Sequence, residues 1–230
     1  INYSIPNHWS MQVQDLNYAG YPWIQHTESV ATAIAMMEDE QLTHLPVVEE
    51  NIYQGLVSRE ALYEVHDDTI ALQQLGWPLP RPSVKPTDHF LAALQIMGEQ
   101  GLSLVPVITD QQELLATISA QELTTTVGKF LGLQEGGALL VLEKEAQHYT
   151  ASEVAKLVES NDAQLLQLNS TVNTQTGIIQ LTIRLNKYEV SDVIATFQRY
   201  DYTVRFFVGE EQYANELRSN YDHLIHYLKI

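Results

Sequence analysis

The strongest constraint on this chain is that it repeats itself. Thr27-Glu-Ser-Val-Ala-Thr-Ala-Ile-Ala-Met-Met37 returns as Thr87-Asp-His-Phe-Leu-Ala-Ala-Leu-Gln-Ile-Met97, and Leu42-Thr-His-Leu-Pro-Val-Val48 returns as Leu102-Ser-Leu-Val-Pro-Val-Ile108. The offset is 60 in both cases. After one extra residue, Gly55-Leu-Val-Ser58 and Leu62 are answered by Ala116-Thr-Ile-Ser119 and Leu123. A fixed period of this kind signals a duplicated structural unit that cannot bury its apolar face alone.

Each copy gives the same physical reading. Thr27 and Thr87 are good N-caps, and the acid that follows each favours the helix dipole. Val30, Ala33, Ile34 and Met37 fall at helical spacing, as do Phe90, Ala93, Leu94 and Met97. Short apolar runs, Leu45–Val48 and Val105–Ile108, have the length of buried strands. Polar turns at Glu49–Asn51 and Thr109–Gln112 lead into second strands at Gly55–Val57 and Leu114–Ile118. Helical residues Arg59–Val65 and Ala120–Thr126 close the copies, and opening strands are expected near Trp23–Ile24 and Ser83–Val84. The unit is β-α-β-β-α, with two units packed together.

This pattern resembles the CBS module, named for cystathionine β-synthase, over about residues 12–127. The resemblance implies a tandem pair that binds adenine nucleotides in clefts between the copies and passes that state to an attached domain. The family's ribose clamp is Ser/Thr-x-x-Asp at the end of the last strand of a copy. Its acid accepts the ribose hydroxyl protons, and its hydroxyl caps the helix beside the phosphate. The second copy reads Ser119-Ala-Gln-Glu122, with Glu in place of Asp. The first reads Ser58-Arg-Glu-Ala61, so the acid position is Ala. The candidate nucleotide-binding set is therefore Ser119, Glu122, Ser58, Arg59, His44 and Ser103. Arg59 stands one position beyond a helix cap, His44 lies before Pro46 at the cleft edge, and Ser103 occupies the place of Thr43. AMP, ADP, ATP or S-adenosylmethionine are the regulatory ligands implied. Ser58 and Ser119 have a plain structural reading as well, as helix caps worth about 1 kcal/mol each.

Gly136-Gly137 divides the chain, and beyond it the periodicity changes. Ala138–Leu142 is strand-length, and Thr150-Ala-Ser-Glu153 reads as a capping box for a helix carrying Val154, Leu157 and Val158. Gln164–Val172 and Ile178–Leu185 are strands around the turn Asn173–Gly177. Val190, Val193, Ile194 and Phe197 mark a second helix, and Tyr202–Val208 a last strand. The order βαββαβ is ferredoxin-like. In this setting it resembles an ACT domain, a regulatory module that binds amino acids at dimer interfaces. The family's ligand loop carries a Gly, whereas the corresponding loop here, Glu143–Tyr149, has none. Leu217, Tyr221, Leu224, Ile225 and Leu228 outline a final amphipathic helix. The order of the whole chain and its ending, Tyr221–Ile230, are similar to a group of Bacteroidetes CBS proteins with an ACT-like C-terminus, and acetoin-utilisation proteins share the CBS–CBS–ACT order.

The expected architecture is thus mixed α/β (α+β), a CBS-domain pair followed by a ferredoxin-like ACT domain. Residues 1–11 are read as a leader or remnant, 12–76 and 77–131 as the two copies, 137–208 as the ACT-like domain and 209–230 as the terminal helix. Composition narrows the function classes. Hydrophobic residues make up 45% and charged residues 18%, which is globular. The formal net charge of -17, from 12 basic and 29 acidic residues, repels phosphate backbones and anionic lipid and disfavours nucleic-acid or membrane roles. No cysteine is present, so disulfides, thiolate metal sites and cysteine nucleophiles are excluded, in keeping with a reducing cytoplasm. His66-Asp67-Asp68 and His223/His226 are the nearest approaches to metal sets, and neither supplies enough ligands for zinc. No phosphate loop or catalytic motif is present. The reading is a cytoplasmic, homodimeric, non-enzymatic ligand sensor; the rival is a dimerisation scaffold without a retained ligand site.

Overall fold

In the computed structural model, residues 11–16, 20 and 22–209 are described; residues 1–10 of the expected leader and 210–230 of the expected terminal helix, with the His223/His226 pair, lie outside them, whereas Met11, also expected in the leader, accepts from the Phe90 N–H. Contacts divide the chain into two units, with the boundary between Phe130 and Leu131.

The first unit carries β1 (Ile24–Gln25), α1 (Val30–Asp39), β2 (His44–Glu49), β3 (Ile52–Ser58), α2 (Arg59–Tyr63), α3 (Phe90–Gln100), β4 (Leu104–Ile108), β5 (Leu114–Ser119) and α4 (Ala120–Phe130). The sixty-residue period survives in the pairing. β1 runs parallel to β2 through Ile24↔Val47, and Val84 bridges Val107 in parallel in the second copy. β2–β3 and β4–β5 are antiparallel, each with an irregularity at its last pairs. The opening strand is two residues long in the first copy and a single bridge in the second, shorter than the sequence suggests. The closing helices also differ from expectation, α2 being shorter and α4 longer.

The helix starts need correction. Thr27 and Thr87 do not cap. The caps are Ser29, whose hydroxyl accepts from the Thr32 N–H, and His89, whose ring accepts from the Leu91 N–H. The chain is still extended there because Ser29 is bridged to Ala71 and His89 to Gln12, so no helix can begin two residues earlier. These bridges extend the repeat. Val30, Leu72 and Gln73 N–H groups donate to the carbonyls of Ile70, Glu28 and His26; in parallel, Phe90, Val13 and Gln14 donate to Met11, Asp88 and Pro86. Met11–Leu16 therefore docks on the second copy as Ile70–Leu75 docks on the first.

Both copies share one core. Positions related by the repeat are buried together: Ala33 with Ala93, Met37 with Met97, Val47 with Val107, Val57 with Ile118, Leu62 with Leu123. Fully burying side chains of this kind contributes about 1.5–3 kcal/mol each, and neither copy holds enough of them to close alone.

In the second unit lie β6 (Leu139–Glu145), α5 (Ala151–Glu159), β7 (Leu165–Asn173), β8 (Ile178–Leu185), α6 (Ser191–Arg199) and β9 (Thr203–Val208). The sheet order is β7-β8-β6-β9 and all three pairings are antiparallel, which is the ferredoxin-like arrangement. Leu181, Ile183 and Leu185 alternate onto the buried face with Leu140 and Leu142, against Val154, Leu157 and Val158 of α5 and Val193 and Phe197 of α6. The stretch expected as an open loop, Glu143–Tyr149, is strand to Glu145 and then a single 3-10 turn over Ala146–His148. Buried Arg184 donates to the carbonyls of Leu131, Gly132 and Glu135 and so pins the segment before β6.

Gly137 is required by this geometry. Its φ is +138°, and a Cβ there would lie 1.9 Å from the Leu185 carbonyl oxygen. Gly137→Ala is expected to cost at least about 2 kcal/mol through overpacking and backbone strain. Urea unfolding of the second unit would show it; a loss below about 0.5 kcal/mol would count against this account.

Candidate functional site

The candidate site grows from the junction of the two copies. Thr43 and Ser103 occupy the same position of the repeat, and the Thr43 N–H donates to the Ser103 hydroxyl at 3.3 Å. Ile52 and Glu113, also equivalent, form a bridge, with Tyr53 N–H donating to Gln112 and Leu114 N–H to Asn51. Contact between equivalent residues marks the pseudo-two-fold axis of the duplication. Each closing helix starts beside it: the Arg59 N–H donates to Thr43 O at 2.8 Å and the Ala120 N–H to Ser103 O at 3.3 Å.

A cleft of about 450 Å³ opens in the first copy, within the range of small-molecule sites. His44 and Ser58 face each other in the β2–β3 register, and both line it. Ala61 is there too, so a methyl group stands where the ribose-clamp acid of the resemblance would be. Opposite lies the segment Trp77–Pro80, and Gln100 and Leu102 reach in from the second copy. Gly55 lets the segment approach: its φ is +140°, and a Cβ would sit 2.5 Å from Leu79 Cβ. Three bonds hold the segment in place: Leu56 N–H to Pro80 O, Tyr53 OH to Pro82 O and Arg81 Nε to Gln54 O. Burial holds the His44 pKa below its ordinary value, and its Nδ1 lies 2.9 Å from the Thr43 hydroxyl.

The candidate residues therefore separate. His44 and Ser58 share the cleft. Arg59 and Ser103 are not among its lining residues; Ser103 receives Thr43 at the axis. Ser119 and Glu122 form a reciprocal capping box, in which Glu122 Oε2 accepts from the Ser119 N–H at 2.8 Å and the Glu122 N–H donates back to Ser119 Oγ at 3.1 Å. Ser58 caps α2 through the Ala61 N–H at 3.2 Å. The structural role of both serines is thus present. Glu122 lines a second cavity of about 310 Å³ with Asp15, Leu16 and Lys129. The wall Trp77–Pro80 was not among the candidate residues. Its signal in the sequence was the proline-spaced run Gly76-Trp-Pro-Leu-Pro-Arg-Pro82, too stiff and too poor in donors to continue a helix or enter a central strand.

Among the described residues no group of three or more His, Asp or Glu is placed to hold a metal ion. Asp67 accepts from the Thr69 N–H and hydroxyl, the geometry of a loop turn. In the second unit Thr150 caps α5, but the Glu153 carboxylate turns away from the capping box. It accepts from Tyr202 OH at 2.6 Å and pairs with Lys144 at 3.0 Å, whose ammonium lies over the Tyr202 ring. The Tyr202 hydroxyl first, then Lys144, hold the Glu153 pKa below the ordinary range, against the effect of burial. A carboxylate depressed in the folded state adds stability above its unfolded pKa, and that stability is lost as pH falls through the folded value. Tyr202→Phe is expected to cost about 1 kcal/mol at neutral pH and to raise the Glu153 titration midpoint, read by side-chain NMR. An unmoved midpoint would refute the assigned cause.

Residues 14–67 match the CBS domain family, and no curated protein matches the chain. Among solved structures it is similar to a CBS domain pair/ACT domain protein from Thermotoga maritima, 20% identical, over 53% of this chain and 99% of that one, with a TM-score of 0.47. It is also similar to a protein described as an acetoin utilization protein (AcuB) from Vibrio cholerae, 21% identical, over 54% and 94%, TM-score 0.45. A third similar structure is CBSX2 in complex with AMP, 18% identical, over 52% and 98%, TM-score 0.43. The family match falls on the first copy of the repeat, so over residues 14–67 the chain is similar to CBS domains.

Proposed function

We propose that this protein is a non-enzymatic regulatory sensor whose duplicated first unit acts as a CBS pair that binds an adenine nucleotide, such as AMP, ADP or ATP. The observation that carries this reading is the Ser119–Glu122 pair at the head of α4, which keeps the acid of the clamp at the edge of a cavity of about 310 Å³ lined also by Leu16, Thr126 and Lys129; the cleft of the first copy, with walls from both copies, is read as a second ligand site. A ligand seated there touches both copies at once, which is what coupling occupancy to arrangement requires. The nucleotide is assigned to the second copy, where Ser119 fixes the Glu122 carboxylate at the head of α4 and the acid of the clamp is retained. The second unit, with its ferredoxin-like sheet, is read as an ACT-like module. The turn over Ala146–His148 lacks the glycine of the family's ligand loop, which favours a structural over an amino-acid-binding role for it. Edge strands β7 and β9 give it surfaces able to pair in a homodimer. Among the described residues no helix is long and apolar enough to cross a membrane; a cytoplasmic setting belongs to the proposal.

Calorimetry of the full chain with AMP, ADP, ATP and S-adenosylmethionine tests the reading. At least one is expected to bind, and Glu122→Ala is expected to weaken it at least tenfold, about 1.4 kcal/mol. Because Glu122 also caps α4, Glu122→Gln serves as control: it keeps a capping-box partner but loses the charge that accepts a diol. If it restores stability without restoring affinity, the ligand role is separated from the cap. No heat with any of the four would favour the rival reading, a dimerisation scaffold, for which Ala61 is the supporting feature.

The oligomeric state is tested separately. Light scattering at micromolar concentration is expected to give about twice the 26.0 kDa chain mass. A monomer with and without AMP would refute the homodimer.

A further inference from the structure

We propose, resting on the reading of the first-copy cleft as a ligand site, that this cleft takes an uncharged planar nitrogen heteroaromatic of nucleobase or nucleoside size and discriminates against its phosphorylated forms. The two copies would then sense different chemistry.

The walls favour a flat apolar ligand. Leu56, Val57, Leu79 and Leu102 line the cleft with the Trp77 indole, which is 39% exposed and also lines an adjoining cavity of about 130 Å³. An indole that lines a cavity offers a stacking partner for a heteroaromatic ring. His44, Ser58 and Gln100 are the polar groups present, enough to pair with ring nitrogens or an exocyclic amine.

Nothing described in the cleft compensates a phosphate. No lysine or arginine is among its lining residues. Residues 1–130 contain four such side chains against sixteen acids, and their positions are accounted for. Arg81 donates to the Gln54 carbonyl and side chain, Lys85 pairs with Asp110, Lys129 lines the other cavity, and Arg59 lies outside this lining. Burial favours neutral over charged His44. Of the first amides of α2, a helix of only five residues, Arg59 N–H is engaged by Thr43 O and Ala61 N–H by Ser58 Oγ. A phosphate drawn out of water here would meet no cation among the lining residues, and an uncompensated charge is costly to desolvate. With Ala61 in the acid position, a ribose diol gains no carboxylate either. The base is the part of a nucleotide that this cleft still fits.

The test uses the full chain carrying Glu122→Ala, which weakens the nucleotide site assigned to the second copy, and dependence on Trp77 identifies the binding that belongs to the first cleft. Adenine and adenosine are expected to bind at least tenfold more tightly than AMP, and Trp77→Ala to weaken them at least tenfold. Trp77→Phe, which keeps an aromatic face, is expected to recover most of that loss, and thermal unfolding confirms that each variant is folded. AMP binding the Glu122→Ala chain as tightly as adenosine would overturn the inference and leave nucleotide sensing standing. Failure of all three probes to bind that chain would also overturn it, while AMP binding to the unmutated chain would decide the nucleotide reading independently. Adenosine binding indifferent to both Trp77 variants would sink the assigned stacking surface.

Discussion

One β-α-β-β-α unit cannot cover its own sheet, and the first half of this protein follows from that constraint. Two or three short strands with two helices laid against them leave an apolar face open, and water penalises that face in proportion to its area. A second copy removes the penalty only if it approaches in a defined register. That register is fixed where equivalent residues meet, at Thr43 with Ser103 and at Ile52 with Glu113. The same principle explains the exchange of small segments. Met11–Leu16 and Ile70–Leu75 each supply a buried side chain, Val13 and Leu72, to the start of a repeat helix, and each completes hydrogen bonds that the helix start would otherwise lack.

The cleft is a by-product of this closure. Because the closing helices start beside the axis, their caps and the residues facing them are brought into one neighbourhood. The linker must then pass over β3 to reach the second copy. Its prolines cannot donate to a ladder, yet their carbonyls can accept, and the linker is held through Pro80 and Pro82 while leaving space behind Trp77. Gly55 permits the approach on the β3 side. The copies are therefore not chemically equivalent despite a shared ancestry of pattern: Ala61 and His44 in one stand against Glu122 and Leu104 in the other.

The second unit solves its burial problem by itself. Four antiparallel strands carry enough alternating apolar positions for two helices to cover one face, and no duplication is needed. The buried end of that face is fastened by Lys144, Glu153 and Tyr202, a charged pair made tolerable by a hydroxyl donor and an aromatic ring. Glu153 illustrates competition between local and tertiary partners. Its spacing from Thr150 suits a capping box, but Lys144 and Tyr202 offer a stronger environment for a carboxylate than one backbone N–H.

The sequence by itself determined the duplication, its register, the identity of the core positions and the βαββαβ order of the C-terminal unit. These are periodic properties, and burial acts on every residue of a period, so the signal accumulates along the chain. Helix starts were less legible. Thr27 and Thr87 are sound caps in isolation, but pairing of Ser29 with Ala71 and of His89 with Gln12 keeps the backbone extended past them, and those partners are about forty and eighty residues away. The segment pair Met11–Leu16 and Ile70–Leu75 was hidden because its offset is 59 rather than 60 and only Gln14/Gln73 and Leu16/Leu75 are identical. Tertiary structure alone decided which of the candidate residues line one cleft. His44 and Ser58 meet through strand register at one cleft, whereas Arg59 is not among its lining residues and Ser103 accepts the Thr43 N–H at the axis. Trp77 entered because a linker, whose own composition says only that it is stiff, had to cross a glycine to join the copies. Sequence records which side chains want to leave water; only the closed fold records which of them leave a space between.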